Sequence, residues 1–291
     1  MRPGAYIAIL VGVFCAVFGA YRAFAVEPDA VRIEKSGAGA PILYLPGLAS
    51  SGAVWDGAVE RLGDGYEHHV ATLAGFAGVP PVEGPFLETR LASLVQYLEA
   101  EDLNDVTIVG HSLGGFLALS LALETPDRVA NVVVVDGVPF LGGLFFGAPN
   151  AAAAATPAGS FRDRTLSLSE DAYRREQTGF AATQTGDANG RTRILEWSLT
   201  SDRETTAAAI YETLTTDLRS DLADVQAPIL VLYPWMEGGR FSVAQTDAAY
   251  AAQYAAAETA MLKRVDGSRH FIMWDRPERL VAEIRGVLAA E

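Results

Sequence analysis

A single α/β domain is the fold class this chain predicts, and three observations carry the expectation. Short β-branched runs alternate with longer helix-forming stretches from residue 31 onward. One such run leads through Gly110-His111-Ser112-Leu113-Gly114 into a strong helix former, the strand–turn–helix setting in which a Gly-x-Ser-x-Gly pattern acts as a nucleophile elbow. The length, 291 residues, is enough to bury a large core without a second domain.

Taken in order, the chain opens on residues 5–20, an unbroken run of apolar and small side chains. Arg2 precedes the run; Arg22 and Ala23-Phe24-Ala25 follow it. A charged start, an apolar stretch and an Ala-x-Ala site describe a secretory signal peptide, with cleavage expected near Ala25. The alternative is a retained membrane anchor over residues 5–25, for which the run is somewhat short of the roughly 20 residues a span needs. The residues before Cys15 do not form a lipobox, and as the sole cysteine it excludes an intramolecular disulfide.

Residues 31–34 alternate like an edge strand, and residues 41–45 read as a central strand ending at Pro46-Gly47-Leu48. A helix is expected over residues 53–62, a strand over Tyr66–Leu73, and a helix over Phe86–Ala100 with its apolar residues at core spacing. His68 and His69 are neighbours on a strand, point to opposite faces and cannot act together; they are expected to be solvent-facing or merely packed. Trp55 is expected to pack in the core or border the site.

The elbow strand comes next, then its helix, then Val129–Val135 with Asp136 at its carboxyl end, where open α/β sheets gather catalytic groups. The strand rhythm stops between residues 137 and 225. Pro139-Phe140-Leu141-Gly142-Gly143 and its apolar continuation are expected to line a substrate pocket or its lid, with Phe140 as a binding residue. Residues 151–155 are low-complexity, and helical stretches follow around residues 170–180 and 192–218. A strand resumes near residue 228 and leads to Trp235, a second candidate substrate contact. The last strand and a closing helix complete the chain. The expected units are the leader or anchor (1–25), a first core segment (26–136), a helical cap (137–225) and a second core segment (226–291).

At the elbow the serine sits in a strained turn whose neighbours leave no room for a Cβ, which accounts for Gly110 and Gly114. The turn lifts the Ser112 hydroxyl clear of the sheet and aims the Leu113 N–H, at a helix N-terminus, at the same spot, where it can stabilise an oxyanion. Serine alone is a poor nucleophile and needs a base. His270, in the loop between the last strand and the closing helix, is the candidate. His111 adjoins Ser112 but lies inside the elbow, where its side chain is expected to diverge from the site.

On Gly110-His111-Ser112-Leu113-Gly114-Gly115, Leu45-Pro46-Gly47-Leu48 and Gly267-Ser268-Arg269-His270-Phe271, the chain resembles the α/β-hydrolase family over residues 30–291. The resemblance implies a mostly parallel central sheet flanked by helices, a helical cap inserted after the sixth strand, and a triad in the order serine, acid, histidine. It implies His270 as the base and the Leu48 N–H as a second oxyanion donor; Pro46 stands where the family most often has histidine, which a backbone donor tolerates. For the acid, the family's usual place past the strand before the last falls on Glu237. Some members carry it after the strand that follows the elbow helix, which is Asp136. Asp247 and Asp266 remain further candidates.

The expected activity is a serine carboxylesterase cleaving small to medium acyl esters, with lactone, amide, C–C and perhydrolase chemistry open on the same triad. A catalytically inactive binding protein on the same scaffold is the alternative from another class. Net charge is −14, which argues against nucleic acid and anionic lipid as partners. Four scattered histidines and one cysteine argue against a zinc site, and the chemistry asks for no cofactor.

Overall fold

The computed structural model describes residues 30–289. Among these, seven strands form one sheet in the order β1-β3-β2-β4-β5-β6-β7: β1 (Val31–Gly37), β2 (Ala40–Leu45), β3 (Tyr66–Leu73), β4 (Val106–His111), β5 (Val129–Val135), β6 (Ile229–Trp235) and β7 (Ala260–Asp266). Every neighbouring pair is parallel except β1–β3. The antiparallel strand is the exposed edge, which is why its sequence alternates while β4 and β5 are almost continuously apolar.

Strand alternation sorts the core into two layers. On one face Leu43, Leu45, Ile108, Val132, Val134 and Val231 pack against α2 (Phe86–Ala100) and α3 (Leu113–Glu124). On the other, Ile42, Tyr44, Val109, Val133, Val135 and Leu232 meet α1 (Asp56–Leu62) and the C-terminal helix α11 (Pro277–Leu288). The two kinds of helix differ as their burial demands. Residues 113–122 of α3 are buried on every side, so it is apolar all round. In α11, Leu280, Val281 and Ile284 turn inward, each stabilising the fold by about 1.5–3 kcal/mol.

Five helices stand between β5 and β6: α4 (Leu141–Phe146), α5 (Ala151–Ser167), α6 (Glu170–Gln184), α7 (Ala188–Thr200) and α8 (Arg203–Thr215). The insertion follows β5, the strand after the elbow helix, where the cap is expected. The low-complexity residues 151–155 open α5; Asn150 caps that helix through its side chain. The helical stretch expected over residues 192–218 is two helices, because Asp202 caps a new one by accepting from the Thr205 N–H. Beyond β6 lie α9 (Val243–Gln253) and, before α11, the single turn α10 (Ile272–Asp275).

His68 and His69 are both buried, so the solvent-facing alternative fails. His68 Nε2–H donates to the Gly63 carbonyl while Nδ1 accepts from the Tyr44 hydroxyl, each at 3.0 Å; His69 Nδ1 pairs with the Tyr97 hydroxyl at 2.6 Å. Trp55 is fully buried beside Tyr44 and belongs to the core. The leader or anchor expected over residues 1–25 lies outside the described residues. Among those described, no helix is long and apolar enough to cross a membrane.

Candidate active site

The carboxyl ends of β4 and β5 and the loop after β7 bring three chemically active side chains to one edge of the sheet. Ser112 sits between β4 and α3 at φ 54°, ψ −116°, a backbone conformation that a residue with a side chain adopts only when its surroundings enforce it. The enforcement is visible. The Ser112 N–H donates to the Val135 carbonyl at 2.9 Å, and the Ser112 carbonyl accepts from Gly115 and Phe116. A Cβ on Gly110 would stand 2.2 Å from the Gly114 carbonyl oxygen, and one on Gly114 would stand 2.2 Å from that of Leu45. The turn therefore closes only with glycine at both positions. Leu113 opens α3, whose first N–H groups have no partner within the helix, and Leu48 lies in the turn after β2.

Asp136 directly follows β5, also at positive φ (48°), and its N–H donates to the Leu232 carbonyl at 2.8 Å. Its Oδ2 lies 2.5 Å from His270 Nδ1. Its Oδ1 accepts from the Tyr250 hydroxyl, and the neighbouring Tyr254 hydroxyl donates to the Gly137 carbonyl at 2.9 Å. Burial, reinforced by the Asp136 charge, raises the Tyr250 pKa well above the usual phenol range, so it stays a donor. With both oxygens engaged, the carboxylate is fixed on Nδ1 of His270.

The loop carrying His270 is tied on three sides. The Trp235 carbonyl accepts from Gly267 at 2.7 Å and Ser268 at 3.3 Å. Asp275 accepts from the Arg269 N–H at 2.7 Å and from Thr185 and Gly186 at the end of α6. The Phe271 N–H donates to the Gln184 carbonyl at 3.1 Å. The inserted helices thus hold the histidine loop as well as roofing the sheet.

These positions correct several sequence expectations. Glu237 is exposed in the loop after β6, whereas the carboxylate on His270 is that of Asp136; β5 delivers it straight to the ring. Asp247 is occupied by Arg264 at 2.6 Å and by the Tyr233 hydroxyl, and Asp266 by Arg264. Phe140 is fully buried against Ala148 and Ala154 with the Arg219 guanidinium over its ring, so it forms a small core of the inserted helices rather than a substrate wall. Trp235 is half-buried, its indole N–H donates to the Phe241 carbonyl at 3.1 Å, and its own carbonyl accepts from Gly267 and Ser268. The His111 ring does not diverge: it lies 4.5 Å from that of His270. Sequence inspection missed Tyr250 and Tyr254. Their four-residue spacing on one helix face is a signal, but only the sheet order shows that this face meets Asp136. Among the described residues no group of three His, Cys, Asp or Glu side chains is placed to hold a metal.

The alpha/beta hydrolase family profile matches residues 42–283, and the chain belongs to this family. It is 30% identical over 217 residues to a pimeloyl-[acyl-carrier protein] methyl ester esterase of Nitrosomonas europaea, covering 70% of this chain and 79% of that one. The enzyme of the same name from Aeromonas hydrophila is 35% identical over 109 residues, 38% of this chain and 42% of its own length. An esterase from Thermogutta terrifontis superposes with a TM-score of 0.71 at 21% identity, over 89% of this chain and 93% of that one; at that identity the likeness speaks for the fold.

Proposed function

We propose that this protein is a serine carboxylesterase acting on small to medium acyl esters, with Ser112 as nucleophile, His270 as base and Asp136 as the acid that orients it. The observation that carries the reading is the 2.5 Å hydrogen bond from His270 Nδ1 to Asp136 Oδ2, made beside a serine held in elbow geometry. Kinship with a methyl ester esterase along most of that enzyme's length supports the ester as the bond attacked.

In the proposed cycle Ser112 Oγ adds to the ester carbonyl as His270 Nε2 takes its proton. The Leu48 and Leu113 N–H groups receive the developing oxyanion. Collapse expels the alcohol, protonated by His270, and leaves an acyl-serine. His270 then draws a proton from water, which attacks the acyl carbon and releases the acid. Asp136 accepts from the Nδ1–H throughout and stabilises the imidazolium. No cofactor enters any step.

A fluorophosphonate probe tests the reading: the wild-type chain is labelled and Ser112→Ala is not. A wild-type chain that resists labelling would return the fold to the role of a binding scaffold. An ester panel of graded acyl length, with matched lactones and amides, then ranks substrates. For location, export with cleavage near Ala25 is the proposal and a retained anchor its rival; the N-terminal mass of the membrane-free protein separates them.

A further inference from the structure

Among the groups that the cycle does not use, His111 lies against the loop that carries the proposed base. It ends β4, is 1% exposed and precedes Ser112 in the chain. Its Nε2 lies 3.1 Å from the carbonyl oxygen of His270. A carbonyl only accepts, so Nε2 carries the proton and donates it, and Nδ1 is left as a bare lone pair. That Nδ1 is buried and has no hydrogen-bond partner. It faces the turn after β2: a Cβ on Gly47 would stand 2.9 Å from Nδ1 and 3.3 Å from the Ser112 Cβ. On its other side the ring packs against Phe271 at 4.6 Å as well as against His270.

A residue needed only to fill this space would be apolar. Methionine has similar reach and would not bury an unpartnered nitrogen, which is itself destabilising. What histidine adds is one donor, and that donor is aimed at the backbone of the proposed base. The His270 ring must present Nδ1 to Asp136 and Nε2 to Ser112 at once. Rotation of the peptide between His270 and Phe271 would swing the ring out of line with one of them, and the His111 hydrogen bond opposes that rotation.

We propose that His111 is a positioning residue for acyl transfer. Its Nε2–H fixes the His270 carbonyl, and its ring sets the spacing of the Gly47 turn and the His270 loop around Ser112. The inference rests on the esterase reading above. Burial, followed by the charge on His270, keeps the His111 ring neutral, so it neither competes for the serine proton nor sets a second cation beside the imidazolium.

The test compares His111→Met, which fills the site without a donor, with His111→Gln, whose amide nitrogen reaches about as far as Nε2. The readouts are kcat and KM on a p-nitrophenyl ester, the fluorophosphonate labelling rate, and thermal midpoints. His111→Met is expected to lose about tenfold or more in kcat and labelling rate, with KM within twofold and no loss of stability. His111→Gln is expected to return to within about threefold of wild type. Unchanged kcat in His111→Met, a loss that falls on KM, or a glutamine variant no faster than the methionine variant would overturn the inference. Should His111→Met fail to fold, His111→Gln decides alone: labelling within threefold of wild type supports the donor role, and labelling tenfold slower overturns it. A wild-type chain that is not labelled defeats the esterase reading instead, so the two failures are distinct.

Discussion

Exchanging Asp136 for asparagine, with Glu237→Gln in parallel, tests the proposed triad most directly. Asp136 and His270 stand 2.5 Å apart, nitrogen to oxygen, with side chains 12% and 26% exposed. Taking about 4 Å between charge centres and an effective dielectric of about 20, the carboxylate stabilises an imidazolium by about 4 kcal/mol. That corresponds to roughly a thousandfold in kcat. Asparagine also offers Nδ1 a donor where it needs an acceptor and so favours the unproductive tautomer, which takes the expected loss to about 1,000–10,000-fold. Glu237→Gln is expected to stay within about twofold, because that side chain is exposed and the carboxylate on the ring is that of Asp136. The assay is kcat on a p-nitrophenyl ester at pH 8, with circular dichroism to show that both variants fold. A folded Asp136→Asn enzyme within tenfold of wild type, or a hundredfold loss in Glu237→Gln, would refute the reasoning.

Three further outcomes follow from the same geometry. Tyr250→Phe removes the hydroxyl on Asp136 Oδ1; a hydrogen bond to a charged group stabilises by about 1.5–3 kcal/mol, so kcat is expected to fall about ten- to a hundredfold with KM little changed. Gly110→Ala drives a Cβ to 2.2 Å from the Gly114 carbonyl oxygen and should cost about 3 kcal/mol or more in urea unfolding; a wild-type midpoint would mean the elbow is not this tight. Burial lowers the pKa of both His111 and His69, so near pH 6.5 the unfolded chain binds protons that the folded chain refuses. Stability is therefore expected to be level above about pH 6.5 and to fall below it, by up to about 1.4 kcal/mol per pH unit for each histidine; equal urea midpoints at pH 7.5 and 5.5 would contradict this.

How much was legible in the chain depended on whether the determining contacts were local. The elbow is local: strand, glycine, serine, glycine and helix follow one another within a dozen residues, and their sterics dictate the turn. The strands were legible because buried parallel strands are almost continuously apolar, as β4 and β5 are. The acid was not. Counting along the chain favoured Glu237, but the choice depends on which strand ends beside the His270 loop. That is a matter of sheet order, with β5 lying between β4 and β6. Phe140 misled for a similar reason. An apolar, glycine-rich run after a catalytic strand reads as a pocket wall, yet Arg219 and the alanines of α5 enclose its ring. His111 and Tyr250 act through partners 159 and 114 residues away, a relation no window along the chain contains.

Placing the carboxylate directly after β5 has a consequence for the segment after β6. On this account residues 236–241 are discharged from chemistry: they neither supply a charge to the imidazole nor pass through the sheet, and residues 237–241 are exposed. The Trp235 carbonyl at the end of β6 moors the histidine loop, and the segment beyond it holds the Trp235 indole through the Phe241 carbonyl. Such a stretch is free to lengthen, shorten or carry a graft, whereas the short link from Asp136 into α4 is not, since it must leave a reacting group and begin the roof within five residues.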